Sequence, residues 1–230
     1  MAKILNKIID ERIKSWELDS TSKRPTTPKG KPFPVITISR EFGALGAALA
    51  SHMSELLDFK MWDKDILQAI AEKLGSEKKF LEALDESRRE TIEDVVVGFM
   101  KNSSTNVSYL RTLNQVIKTV EEHGNSIIVG RGANYICTHP KAFHVRLVCP
   151  LKKRIEHIAS KENITKHKAE KLIENTDEER AKFVQYYFKR DVTEASDYDL
   201  ILNSGVFNLD QMAQIIRAAY EQKTGLKLPV

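Results

Sequence analysis

Residues 35–57 read VITISREFGALGAALASHMSELL. Val35–Ser39 is a short run rich in β-branched residues, the composition of a buried strand. From Ala44 to Leu57 the residues Leu45, Leu49, Met53 and Leu56 recur at helical spacing, so a helix is expected there. Gly43 and Gly46 lie at the junction. Glycine lets the backbone turn so that successive N–H groups converge on an anion, and a helix N-terminus adds unpaired N–H groups and the positive end of its dipole. The stretch therefore has the parts of a strand–loop–helix phosphate cradle. It does not match G-x-x-x-x-G-K-[ST], and a plain turn that uses glycine for its geometry would leave the same residues.

Downstream, strand and helix patterns alternate. Phe59–Trp62 is a weak strand, Ser126–Gly130 (SIIVG) and Phe143–Cys149 (FHVRLVC) are stronger ones, and Asp199–Asn203 (DLILN) is a fifth. Helical periodicity covers 64–74, 77–100 and 107–122, with Gly75 and Gly124 placed as stops, then 151–161 and 165–188. Asn208 is placed to cap a last helix that ends near Gly225. Apolar strands separated by helices predict an α/β protein: a parallel sheet of about five strands covered on both faces. Ligands on such sheets sit at the carboxyl ends of the strands, so the informative residues should follow the strands.

Upstream, residues 2–18 place Ile4, Leu5, Ile8, Ile9, Ile13 and Trp16 on one helical face, which must be buried on this domain or on a second subunit of a homodimer. Residues 19–34 are rich in Pro, Thr, Ser and Lys and read as a linker. The expected organisation is an N-terminal helix and linker over 1–34 and a domain over 35–230.

The 230 residues are 41% hydrophobic and 30% charged, with a net charge of +4. That is enough apolar residue for a core, and the mild charge without a Lys/Arg tract argues against nucleic acid as partner. Apolar runs are too short to span a bilayer, and charges interrupt the N-terminus too often for a signal peptide. Cys137 and Cys149 are expected to be reduced, and the cytoplasm is the expected compartment. The six histidines show no metal-ligand spacing.

Arg131, between Gly130 and Gly132 at the end of a strand, is badly placed for ordinary packing and well placed to grip a phosphate bidentately. In TDEERAKFVQYYFKRD, Asp177 and Arg180 have the i, i+3 spacing of a helical ion pair, while Arg180, Lys189 and Arg190 are spaced to close over phosphates. Asp63 and Asp65 follow a strand, and Asp199 and Asn203 bracket one. Each could meet a ribose, base or metal, though such residues usually cap turns.

Taken in order, ITISREFGALGAALA, MWDKDIL, IIVGRGANYI, RIEHIASKENITKHKAEKLIENTDEERAKFVQYYFKRD and YDLILN resemble the cytidylate kinase-like family, a branch of the P-loop nucleoside monophosphate kinases. The resemblance runs from about Val35 to Tyr220. It implies a three-layer P-loop fold, ATP and Mg²⁺ as cofactors, and transfer of the γ-phosphoryl group to a nucleoside monophosphate such as CMP or dCMP. By resemblance Gly43, Ala44, Leu45, Gly46 and Ala47 cradle the ATP phosphates. Asp63 and Arg131 hold the acceptor, and Arg180 and Arg190 belong to a lid over about 177–195. The chain departs from orthodox members at Gly46, where they carry lysine, near Ala48, where they carry Ser or Thr, and at Gly132, where they carry aspartate. In this branch an arginine is common at position 47 and a glycine at 45, where this chain has Ala47 and Leu45. These departures predict slow turnover, and two other readings stay open: a nucleotide-binding protein without turnover, and a kinase for another small acceptor.

Overall fold

The computed structural model describes residues 25–63 and 103–229, together with Glu11 and Lys14. The helical patterns read at 64–74 and 77–100, Asp65, and most of the N-terminal helix lie outside these residues.

Strand β1 (Ile36–Arg40) leads into helix α1 (Gly46–Leu57), followed by β2 (Lys60–Trp62), α2 (Ser103–His123), β3 (Ser126–Val129) and the short α3 (Ala133–Ile136). Then come β4 (Phe143–Val148), α4 (Leu151–Glu162), α5 (Lys166–Phe188), β5 (Leu200–Asn203) and α6 (Leu209–Thr224). The strands form one sheet in the order β2-β3-β1-β4-β5, and every pairing is parallel. Residues 165–188, which the pattern left as one helix or two, are one helix capped by Thr165.

Alternation along β1 and β3 sets the layers. Ile36, Ile38, Ile127 and Val129 join a core with Leu49 and Met53 of α1 and Met212 and Ile216 of α6. The other face is covered by α2 and α3, which contact each other and strands β3 and β1. On α2 the residues Leu113, Val116, Ile117 and Val120 are fully buried at i, i+3, i+4, i+7. At α6 the predicted cap is a full capping box: Asn208 accepts from Gln211 N–H and Gln211 reaches back to Asn208 N–H.

Residues 25–34, read as the end of a linker, are held on the domain. Asn125 donates to the Pro25 carbonyl at 2.7 Å and accepts from Phe33 N–H at 2.6 Å. The Tyr220 hydroxyl donates to the Pro34 carbonyl. Composition gave no sign of this because the anchor, Asn125, sits about 90 residues away in the chain.

Asp199 has a structural place. Its carboxylate accepts from His144 N–H at 2.8 Å and pairs with Lys223 at 2.6 Å, joining β4 and α6 at the amino end of the sheet. Neighbouring His144 places Nδ1 2.9 Å from the Thr37 hydroxyl. Burial holds this imidazole below its usual value of 6.5; Lys223 adds to the effect, while Asp199 opposes it. A histidine kept neutral in the fold contributes stability above its unfolded pKa that is lost as pH falls through the folded value. The melting temperature should therefore fall as pH drops below about 6.5, and less steeply in His144→Gln. Parallel curves for the two proteins between about pH 7.5 and 5 would show that His144 carries none of this dependence.

Candidate phosphate-binding site

After β1 the chain turns through residues 41–45, where Gly43 has φ 84° and Leu45 φ 64°. Leu45 is the N-cap of α1, and no side chain caps this helix. A left-handed leucine costs about 1–2 kcal/mol, which surrounding contacts must offset. No side chain caps the N–H groups at the head of α1, and such a helix end is of the kind that suits an anion. Ala47 and Ala48, in its first turn, are exposed.

The loop is tied down from behind. Asp177 accepts from Phe42 N–H at 2.7 Å and pairs with Arg154 at 2.5 Å. Arg154 donates to the carbonyls of Phe42 at 3.2 Å and Cys149 at 2.9 Å, and lies 3.6 Å from Glu41. Glu41 accepts from Cys149 N–H. The partner of Asp177 is thus Arg154 across the α4–α5 hairpin, not Arg180 one turn along its own helix. Asp177 is occupied in holding the loop.

At the end of β3 the residues Gly130, Arg131 and Gly132 have φ of 71°, 58° and 64°. Three consecutive left-handed residues turn the chain sharply into α3. Among the described residues the Arg131 guanidinium has no hydrogen-bond or ion-pair partner. Gly132, where orthodox kinases carry aspartate, is roofed by Phe188 from the end of α5. A Cβ at Gly132 would lie 2.1 Å from that ring, which stacks on Tyr135 at 5.2 Å between centres.

Arg131 and Arg180 line one pocket with Thr37, Ser39 and Arg40. Arg180 donates to the Arg40 carbonyl at 3.4 Å, and its guanidinium lies 5.3 Å from the centre of the Phe42 ring. Arg190 is not brought to this pocket; it is exposed and lies 3.6 Å from Asp197. Asp63 follows edge strand β2 and is also outside the lining.

Two basic residues escaped the sequence reading. Arg40 ends β1 and enters the pocket. Arg146 lies in β4 opposite Ser39, is 5% exposed, and has its guanidinium 3.4 Å from the Ser39 hydroxyl and 5.6 Å from the centre of the Tyr198 ring. The available signal was a charged residue inside or at the carboxyl end of a buried strand, a position that ordinary packing disfavours.

Residues 35–206 match the profile of the cytidylate kinase-like family. The chain belongs to this family. Its sheet order, with a glycine-bearing loop between β1 and α1, is that of the P-loop kinase fold. An uncharacterized protein from Eubacterium ventriosum superposes on this cytidylate kinase-like chain with a TM-score of 0.60 at 18% identity, covering 82% of this chain and 98% of that one; the likeness is one of fold. A shikimate kinase from Acinetobacter baumannii in complex with shikimate is 13% identical, with a TM-score of 0.47, covering 83% of this chain and 95% of that one. No curated protein matches the chain. Among the described residues of this family member no helix is long and apolar enough to cross a membrane, and both cysteines are free.

Proposed function

We propose that this protein transfers the γ-phosphoryl group of ATP to a nucleoside monophosphate, with CMP or dCMP as acceptor. The observation that carries the reading is Arg131. A left-handed arginine between two left-handed glycines, with no partner among the described residues, faces a pocket that also holds Arg40 and Arg180. Strain of that kind collects where function requires it.

The residues suit a polyphosphate. N–H groups of the loop and of the α1 terminus would hold the phosphates of ATP, which supplies the phosphoryl group. Arg131 would bind the acceptor phosphate through its two-pronged guanidinium. Arg180 would neutralise charge on the transferring group, and preorganised donors of this sort are worth about 2.7–4 kcal/mol each. Asp63 would approach the acceptor from β2. Arg190 would join the phosphates only by leaving Asp197. Mg²⁺ bound with ATP would add to this charge neutralisation, and Arg40, Arg131 and Arg180 are the cations that line the pocket among the described residues.

Binding without turnover is the second reading, supported by Ala47 and Ala48 where a charged or hydroxyl side chain would face the phosphates. Calorimetry with ATP and CMP, followed by ADP release across a panel of acceptors, separates the readings. The expected result is binding of both nucleotides with CMP-dependent ADP release, well below the roughly 1–100 s⁻¹ of kinases. Binding without release favours the second reading. Release with a different hydroxylated acceptor, and not CMP, moves the substrate class. No binding of any nucleotide overturns the proposal.

A further inference from the structure

In phosphate loops of the usual kind a lysine in the first turn of the following helix reaches the β- and γ-phosphates. Here that position is Gly46, and the space beside it is filled from another direction. A Cβ at Gly46 would lie 2.7 Å from Cγ and 2.9 Å from Cβ of Arg40. A Cβ at Gly130 would lie 2.2 Å from Nη1 of the same arginine. The Arg40 side chain therefore starts from the last residue of β1, lays its stem across the head of α1, and sets its guanidinium against the strand end that carries Arg131. At Gly46 the close atoms belong to the arginine stem, which a Cβ would displace, whereas at Gly130 they belong to the movable guanidinium tip; the path therefore requires glycine at 46. Arg40 lines the pocket together with Arg131 and Arg180, and Arg180 donates to Arg40's own carbonyl; residues 43–47 lie outside that lining, and the Arg40 stem against Gly46 links the two.

We propose that Arg40 is the phosphate-binding cation of the ATP half of the site, supplying from the strand the charge that lysine supplies from the helix. This rests on the phosphoryl-transfer reading above. Arginine from this position has a consequence that lysine lacks. Its planar fork takes two phosphate oxygens at once, whereas an ammonium is a single point charge. Arg40 should therefore discriminate ligands by the phosphates beyond the first.

The test is calorimetry on the full chain with ATP, tripolyphosphate and CMP, comparing the parent with Arg40→Gln and Arg40→Lys. Arg40→Gln should weaken ATP and tripolyphosphate binding roughly tenfold to a hundredfold, the range for a lost charged hydrogen bond. CMP affinity should change less than about threefold, since its single phosphate meets Arg131. Arg40→Lys should recover part of the ATP loss. A merely structural Arg40 would lower both affinities together and leave their ratio unchanged, which overturns the proposal. So does a loss confined to CMP. Should Arg40→Gln fail to fold, Arg40→Lys decides, because it keeps stem and charge and loses only the fork: an unaltered ratio of ATP to CMP affinity then sinks the idea. A parent protein that binds neither ATP nor tripolyphosphate defeats the phosphoryl-transfer reading itself. Binding by the parent that Arg40→Gln leaves intact defeats only the role given to Arg40.

Discussion

Arg131→Gly should lose about a hundredfold in CMP affinity and be no less stable than the parent protein. The binding loss follows from removing a two-pronged guanidinium whose charged hydrogen bonds are worth about 1.5–3 kcal/mol each. The stability follows from the backbone. Residue 131 is left-handed, which costs a non-glycine residue about 1–2 kcal/mol, and glycine removes that strain. Glycine's extra freedom in the unfolded chain takes back about 0.4–1 kcal/mol, so the two effects nearly cancel. No hydrogen bond or ion pair of the side chain among the described residues is lost with it. Calorimetry and thermal unfolding of the same preparations check both halves. A protein that melts several degrees lower and binds CMP as before would make Arg131 a structural residue.

Arg154→Met should act in the opposite sense, costing about 3 kcal/mol or more in stability although it touches no ligand. Arg154 is buried and serves four groups at once: the Asp177 and Glu41 carboxylates and the Phe42 and Cys149 carbonyls. Truncating a buried charge partner usually costs about 3–5 kcal/mol. The lower end applies because Asp177 and Glu41 keep 29% and 26% of their side-chain surface exposed and can rehydrate. ATP affinity should fall as well, since Phe42 loses the brace that fixes the cradle. Urea unfolding measures the first effect and calorimetry the second. Stability within about 0.5 kcal/mol of the parent would show that the network holds nothing in place.

The sheet and its order of elements could be read from the sequence because each strand is a short apolar run and each helix carries its own periodicity. Asn208, Gly124 and Gly225 mark helix ends by local chemistry, and the structure uses all three in that way. Arg131 stood out because its neighbours are glycines. What could not be read is pairing across the chain. The i, i+3 spacing of Asp177 and Arg180 suggested a partner, but the hairpin of α4 and α5 delivers Arg154 from 23 residues away. Asp199 looked like a site residue only while the direction of the strand was ignored. In a parallel sheet the residue that precedes a strand lies at the end away from ligands. Arg40 was overlooked although its place at the carboxyl end of a buried strand was a signal, because its contact with distant Gly130 is set by the sheet and not by anything local.

The path of Arg40 over Gly46 binds the histories of these two positions together. A lysine introduced at 46 while arginine remains at 40 would force overlap with the arginine stem. On the role proposed for Arg40, removing the arginine first would leave the loop without either cation. The two arrangements are thus separated by intermediates that are each worse than both ends, one through crowding and one through lost charge. Gly46→Lys alone should be harmful here even though it installs the residue common elsewhere, while the same change made together with Arg40→Ala should be tolerated. Sign epistasis of this kind would hold a strand-borne cation in place, since each single substitution toward the helix-borne lysine would lead downhill.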